Sequence, residues 1–216
     1  MDLMVCDNGR NGMKPEQRTP EFSETMKKWN QEDFEGAYHL MKKSALSGHV
    51  ASITKLMRWQ RDDNFKDLIA KDKYNWTEML IDLTKKNNPH AQWSLSNLYR
   101  WGGFRGKLWE CSEEEMIEAN RLLVEAAMQG HPEAEFYLGE VLEFGLFGFE
   151  ENMEEAMKWY KKALAQGDPD AMLRIGSELL KTDREAGIKL LKQASEMDNG
   201  MGHATEIMQA IERGEI

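Results

Sequence analysis

Histidines are the residues whose type and placement in this sequence come closest to a metal site. Four of the five, His49, His90, His131 and His203, each directly follow a glycine or a proline, at similar points of a repeated pattern. A zinc ion needs its nitrogen ligands within about 2.1 Å, whereas residues that recur once per stacked helix pair lie about 10 Å apart. We therefore interpret these histidines as turn residues and expect no metal site.

Other groups that could do chemistry lack the partners that chemistry needs. The three glutamates at 113–115 occupy adjacent positions, which do not converge on one cation if the segment is helical. Cys111 precedes a helix start, where a thiolate is favoured, but no histidine is specified beside it. The glycine-rich segments 101–106 and 144–149 lack the Lys-Ser/Thr ending of a phosphate-binding loop. The sequence predicts no catalytic residue, no cofactor and no metal.

Composition indicates a folded chain without a membrane span. Of the 216 residues, 41% are hydrophobic, 31% are charged and seven are tryptophan. This composition is too apolar for a disordered chain. No run of 18 residues is free of charge, and the first residues lack the pattern of a secretory signal. Cys6 and Cys111 cannot form a disulfide framework and suit a reducing compartment. We therefore expect a cytoplasmic protein.

The net charge of −10 is concentrated in one segment. Residues 110–166 contain 14 glutamates, no aspartate and four basic residues, so this segment carries the whole net charge of the chain. An acidic field repels nucleic acid phosphates and anionic lipids and attracts basic proteins. The glutamates also fit helix N-termini, where the helix dipole favours carboxylates. The charge therefore predicts that the chain binds neither nucleic acid nor a membrane. If it binds a protein, we expect that partner to be basic.

A recurring pattern of small and large apolar residues predicts pairs of helices. A small residue is followed three and four positions later by large apolar residues, then seven and eight positions later mostly by small ones. These positions share one face of a helix. A glycine or other turn former comes at position eleven, where the left-handed conformation ends a helix. Such stops fall near 48, 87, 130, 167 and 198, and this irregular period near 37 predicts an α-solenoid.

Helix starts and additional helices can also be located. An N-cap residue followed three positions later by glutamate is typical of a helix start. Three pairs have this spacing: Ser112 with Glu115, Asn152 with Glu155, and Thr182 with Glu185. We expect residues 1–20 to form a mobile tail. Apolar residues at 22–29 mark a first helix, and those at 207–211 mark a capping helix. We also expect an extra short helix in the segment 65–76.

Residues 138–171 resemble the Sel1-like repeat, a relative of the TPR. The residues that carry the resemblance are Leu138, Gly139, Gly145, Ala156, Trp159, Tyr160, Lys162, Ala163 and Gly167. The likeness extends over about 88–200 and is weaker over 32–87. It implies an all-α fold in which residues 21–216 form a right-handed α-solenoid of about four to five helix pairs with a C-terminal capping helix. It also implies protein binding as the usual activity.

A partner-binding surface follows from this expected architecture. The first helix of each pair lines the concave face of a curved helical solenoid. Its predicted binding residues are Trp93, Asn97, Arg100, Trp101, Phe136, Glu140, Glu143, Leu173 and Ser177, with Phe104, Phe147 and Phe149 on the connecting loops. Trp93, Arg100 and Trp101 are the types that dominate binding energies. Glu140 and Glu143 would steer a basic partner.

The predicted function is a non-catalytic protein-interaction module. A sharper hypothesis is an acidic inhibitor or immunity protein that neutralises a basic partner such as a nuclease-type toxin. The alternative is a regulatory adaptor or scaffold, which would bind through its aromatic residues and respond little to salt. An alternative from a different functional class is an enzyme that acts on a small ligand. The sequence supplies no nucleophile and base for such an enzyme.

Overall fold

The computed structural model describes residues 20–60, 62–101, 111–197 and 202–216, which form twelve α-helices and no strand. The helices are α1 Pro20–Asn30, α2 Phe34–Leu46, α3 Val50–Trp59, α4 Lys66–Ala70, α5 Trp76–Lys85, α6 Pro89–Arg100, α7 Glu113–Met128, α8 Pro132–Glu143, α9 Met153–Ala165, α10 Pro169–Leu179, α11 Arg184–Met197 and α12 His203–Glu212. Of the predicted N-terminal tail, residues 1–19 lie outside the described part of the chain, and Pro20 begins α1. None of the described helices is long and apolar enough to cross a bilayer.

The chain divides into two compact units, and the array predicted over 21–216 includes residues of both. The first unit ends at Leu122 and the second runs from Leu123 to Ile216, so the division falls within α7. In the first unit α2 packs on α1 and α3, and α5 packs on α3 and α6. In the second unit α9 packs on α8 and α10, and α11 packs on α10 and α12. Successive helices are therefore neighbours, as expected for helix pairs.

Stacked aromatic rings anchor the first unit. The ring centroids of Trp59 and Phe65 are 4.0 Å apart, and those of Trp29 and Trp59 are 5.1 Å apart. Phe65 is fully buried and is the N-cap residue of α4, the short helix predicted in the segment 65–76. Its burial attaches this helix to the core. Trp29 lies on α1, and the predicted first helix therefore covers this core.

Small residues at the repeated positions let the helices approach closely. Ala37, Ala119 and Ala156, each the first residue of a predicted repeat, are fully buried. In α11 the equivalent residue is Gly187, where a Cβ would be only 2.8 Å from the Gly176 carbonyl oxygen of α10. No side chain fits at position 187 without moving the backbone.

The predicted helix stops are confirmed at four of five positions. Gly48, Gly130 and Gly167 have φ of 89°, 82° and 78°, and Asn87 has φ of 61°. These are left-handed values, which glycine and then asparagine adopt most easily. The fifth stop, near 198, lies outside the described residues.

Two of the three predicted N-caps are confirmed and the third is wrong by one residue. The Ser112 hydroxyl accepts from the Glu115 backbone N–H at 3.2 Å, and the Asn152 side chain accepts from the Glu155 N–H at 3.0 Å. The cap of α11 is Asp183, whose carboxylate accepts from the Ala186 N–H at 3.1 Å. Thr182 still belongs to the preceding turn, because its own N–H bonds to the Leu179 carbonyl.

Candidate functional site

Four residues in the α6 region are predicted to bind a partner, and three of them are partly accessible. Trp93 and Asn97 on α6 are half buried, and so is Trp101, which caps the helix. The Trp101 N–H bonds to the Asn97 carbonyl at 3.0 Å, which fixes the backbone of this end of the surface. In the first unit, Trp93 and Trp101 therefore stay candidates for contact with a partner protein.

Arg100 was predicted on the exposed side of α6, and this prediction is wrong. Its exposed fraction is 2%, and Nη1 lies 3.7 Å from the Met116 sulfur on α7. Gln92 and Ser96 are also buried, and the Ser96 hydroxyl donates to the Ala119 carbonyl at 2.7 Å. Positions 92, 96 and 100 are spaced by four and share one helix face. This polar face of α6 therefore packs inward.

In the second unit an ion pair joins α8 to α10. The Glu143 carboxylate accepts from Arg174 Nε at 2.9 Å and also from Arg174 Nη2, so the pair is bidentate. The Tyr160 hydroxyl of α9 donates to the same carboxylate at 2.7 Å. The hydrogen bond from Arg174 holds the pKa of Glu143 below its ordinary value, and burial raises the pKa of Tyr160. Glu143 keeps its charge, but Arg174 neutralises it locally.

Glu140 lies one helical turn before Glu143 and is half buried. Burial raises the pKa of Glu140 to about 7, and the charges of Asp170 and Glu143 act in the same direction. Near neutral pH this carboxyl therefore carries only part of its charge. The pair predicted to steer a basic partner thus presents a weaker negative field than its composition suggested.

The other residues predicted to bind a partner in the second unit are Phe136 on α8 and Leu173 and Ser177 on α10. Phe136 is half buried with its ring centroid 5.3 Å from that of Tyr160, so it also supports the core. Leu173 and Ser177 on α10 are half buried, and the Ser177 hydroxyl donates to the Leu173 carbonyl at 2.8 Å. Phe136 and Leu173 therefore supply partly accessible apolar area beside Glu140 and Ser177.

Arg174 is the ion-pair partner in the second unit that sequence reasoning missed. It is the one basic residue of α10, and it stands between Leu173 and Ile175. An isolated cation in an apolar stretch is a signal for a buried or half-buried ion pair. The identity of its partner, 31 residues away, depends on how the helices pack.

Two further carboxyls are buried at the turns of the second unit. Asp168 caps α10 by accepting from the Ala171 N–H at 2.9 Å, and burial raises the pKa of Asp168 to about 7. Glu135 accepts from the Gln166 side chain at 2.6 Å, and burial raises the pKa of Glu135 as well. Asp168 thus stabilises the start of α10, and Glu135 connects α8 to the turn that follows α9.

The predicted loop aromatics that the structure describes are partly accessible. Phe147 and Phe149 are half buried, and Phe104 lies outside the described residues. The exposed apolar side chains of the loop between α8 and α9 are instead Phe144 and Leu146, with exposed fractions of 60% and 42%. This loop therefore does present apolar surface, through residues that the sequence did not single out.

The four histidines that the sequence assigned to turns lie at the starts of helices. His49 and His131 precede α3 and α8 at the N-cap positions, and the His131 ring accepts from the Ala134 N–H at 3.4 Å. His90 lies in the first turn of α6, and His203 begins α12. Within the described ranges no three His, Cys, Asp or Glu side chains are placed to hold a metal ion.

Comparison with known proteins assigns the repeats. The Sel1 repeat matches residues 30–49, 132–168 and 169–199. The chain therefore contains Sel1-like repeats at these three positions. The second match contains α8 and α9, and the third contains α10 and α11, so each covers one helix pair. The predicted fold class, an all-α array of Sel1-like helix pairs, is confirmed.

Two solved structures share this architecture. A Sel1 repeat protein from Oxalobacter formigenes superposes with a TM-score of 0.51 and 25% sequence identity, covering 62% of this chain and 96% of that one. A protective antigen present in uropathogenic Escherichia coli strains, which displays an SLR fold, superposes with a TM-score of 0.53 and 22% identity. That match covers 82% of this chain and 36% of the antigen, and it bears on the fold alone.

A curated relative adds a regulatory protein to the comparison. The chitin synthase regulator SKT5 of Saccharomyces cerevisiae is 30% identical over 141 residues, which is 65% of this chain. The chain spans about a fifth of the length of that relative, 19% of it. Sel1 repeat proteins are protein-interaction modules and are generally non-catalytic. The repeats of this chain therefore indicate a protein-interaction module, in agreement with the general prediction.

Proposed function

We propose that this chain is a non-catalytic regulatory adaptor that binds another protein through the half-exposed residues of its Sel1-like helices. The observation that carries the proposal is the match of helix pairs α8–α9 and α10–α11 to the Sel1 repeat. The yeast relative is a regulator of chitin synthase, and this supports the regulatory part of the proposal. A cytoplasmic location stays a prediction from the cysteine content.

Accessible aromatic and apolar residues support binding that depends little on charge. Trp93 and Trp101 in the first unit, and Leu173 in the second, are all half buried. Tryptophan contributes a large apolar area at a small loss of side-chain entropy, which makes it a frequent determinant of affinity. Because Arg100 is buried, we assign it to folding and leave it out of the binding surface.

Capture of a partner from the native host tests the proposal. The purified chain serves as bait, with parallel washes at about 50 and about 500 mM salt, which span Debye lengths of roughly 14 to 4 Å. We expect a partner that is retained at both salt concentrations and lost with Trp93→Ala. Lys189→Ala, which changes an exposed residue of α11, is the control and should retain it. A folded bait that captures no protein under either condition would overturn the proposal.

The acidic-inhibitor hypothesis is a narrower form of the same function. Exposed glutamates of the segment 110–166, such as Glu113 and Glu114, favour a basic partner. However, Glu143 is paired with Arg174, and Glu140 is half buried, so the two carboxylates first expected to steer such a partner are weakened. Loss of the partner at about 500 mM salt, with slower association of Glu140→Gln, would favour the inhibitor over the adaptor.

A further inference from the structure

We propose that the loop joining α8 to α9, residues 144–152, is a docking site for a basic amphipathic segment of the partner protein. This inference rests on the proposed adaptor function and adds the place and chemistry of one contact. We call this segment, together with Met153 at the start of α9, the aromatic loop.

Exposed apolar side chains are concentrated in the aromatic loop. Phe144 is 60% exposed, Leu146 42% and Met153 39%. No other connecting loop in the described ranges carries more than one large apolar side chain this exposed. Single exposed apolar residues are ordinary on protein surfaces, but a group of them marks an interaction site. The loop thus has the apolar surface that an interface needs.

Backbone hydrogen bonds hold the aromatic loop in a defined conformation. The Leu146 N–H bonds to the Val141 carbonyl at 3.0 Å, and the Asn152 N–H bonds to the Leu142 carbonyl at 2.7 Å. Both ends of the loop are therefore tied to the last turn of α8. Half-buried Phe147 and Phe149 lie between them, while Phe144 and Leu146 remain exposed. An ordered loop binds a partner without first paying the entropy of ordering.

Charge on the aromatic loop selects the chemistry of its occupant. Glu150 and Glu151 are exposed, and no basic side chain of the described residues pairs with either. Glu154, on the first turn of α9, is also exposed, although Lys158 lies 3.3 Å from it. Apolar side chains bordered by carboxylates complement a segment with an apolar face flanked by lysine or arginine. The same carboxylates repel anionic lipid and nucleic acid phosphate.

Two synthetic helical peptides with the same leucine face test the chemistry of the occupant. One carries lysines on its polar face and the other glutamates in their place, and fluorescence anisotropy measures their binding to the full chain. We expect the lysine peptide to bind at least about tenfold more tightly at about 50 mM salt. Equal binding of the two peptides, or no binding of the lysine peptide, would overturn the proposal.

Matched variants of the full chain test the location. We expect Phe144→Ser with Leu146→Ser to weaken the lysine peptide about tenfold, and Glu150→Lys with Glu151→Lys about fivefold or more. The control variant Glu113→Lys with Glu114→Lys makes the same charge change on exposed residues of α7 and should alter affinity by less than about twofold. Equal weakening by both charge reversals would show that the peptide senses only net charge, and would overturn the site. Thermal unfolding verifies that each variant is folded.

Native capture separates failure of this inference from failure of the adaptor proposal. If the host partner is retained by Phe144→Ser with Leu146→Ser but lost with Trp93→Ala, the loop proposal is wrong and the adaptor proposal stands. If the wild-type chain captures nothing, the adaptor proposal itself fails. A dimer in light scattering that this double variant abolishes would assign the loop to a second copy of the chain and overturn the inference. Binding to vesicles of anionic lipid that is lost with the same variant would overturn it equally.

Discussion

The Tyr160 ring of α9 lies directly on the backbone of Gly139 in α8. A Cβ added at Gly139 would stand 2.6 Å from Tyr160 Cε1 and 2.7 Å from Cδ1. Gly139 lies inside a helix with ordinary backbone angles, so the ring, and not the backbone conformation, requires glycine here. This contact brings the first and second helices of a repeat together.

Gly139→Ala should therefore destabilise the protein. The added methyl forces the Tyr160 ring to move, at about 1–3 kcal/mol, and this outweighs the roughly 0.5–1 kcal/mol that alanine gains over glycine in a helix. Chemical denaturation of the wild type and variant measures the difference. In a Tyr160→Ala background the ring is absent, and the same substitution should be neutral or stabilising. A loss of equal size in both backgrounds would contradict this explanation.

The Glu143–Arg174 pair should contribute measurably to stability. It is bidentate, and its side chains are mostly shielded from solvent. A double-mutant cycle with Glu143→Gln and Arg174→Met should give a coupling free energy of about 1–3 kcal/mol that persists in high salt. The exposed pair Glu154–Lys158, tested in the same way, should show a coupling close to zero. Similar couplings for the two pairs would contradict the role assigned to burial.

The buried carboxyl of Asp168 should make stability fall as the pH rises. Its pKa in the folded protein is raised to about 7, compared with about 3.9 in an unfolded chain. The folded state therefore holds a proton that the unfolded state releases between about pH 4 and 7, and the free energy of unfolding decreases over that range. Glu140, with a pKa of about 7, acts in the same direction.

Asp168→Asn tests this pH dependence while keeping a good cap for α10. The difference in unfolding free energy between wild type and variant should change by on the order of 1–3 kcal/mol between pH 5 and 8, in favour of the variant at high pH. Denaturant titrations at several pH values measure it. Asp183→Asn, at the exposed cap of α11, is the control and should give a nearly constant difference. A constant difference for Asp168→Asn would rule out the assignment.

The cap of α11 can be tested one residue at a time. Asp183→Ala removes the acceptor for the Ala186 N–H and should cost about 1 kcal/mol of stability. Thr182→Ala should change stability by less than about 0.5 kcal/mol, because Thr182 is an exposed residue of the preceding turn. Thermal or chemical unfolding distinguishes them. The reverse order of effects would restore Thr182 as the cap.

The period, the class of fold and most helix ends could be predicted from the sequence because their causes are local. Apolar spacing defines a helix face, and glycine or asparagine at 48, 87, 130 and 167 adopts a left-handed conformation at little cost. The cap at Ser112 depends on two groups three residues apart. The misplaced cap at Thr182 shows the limit of such reasoning, since the adjacent Asp183 is an equally good cap residue.

Only the tertiary structure decided which polar and apolar groups meet water. Arg100 is buried because α7 covers that face of α6, and Glu143 is neutralised because Arg174, 31 residues away, is brought beside it. Likewise, Phe144 and Leu146 are exposed where Phe147 and Phe149 are half buried, although all four are apolar residues of one loop. Burial and ion pairing depend on contacts between helices, and the order of residues along one helix does not specify them.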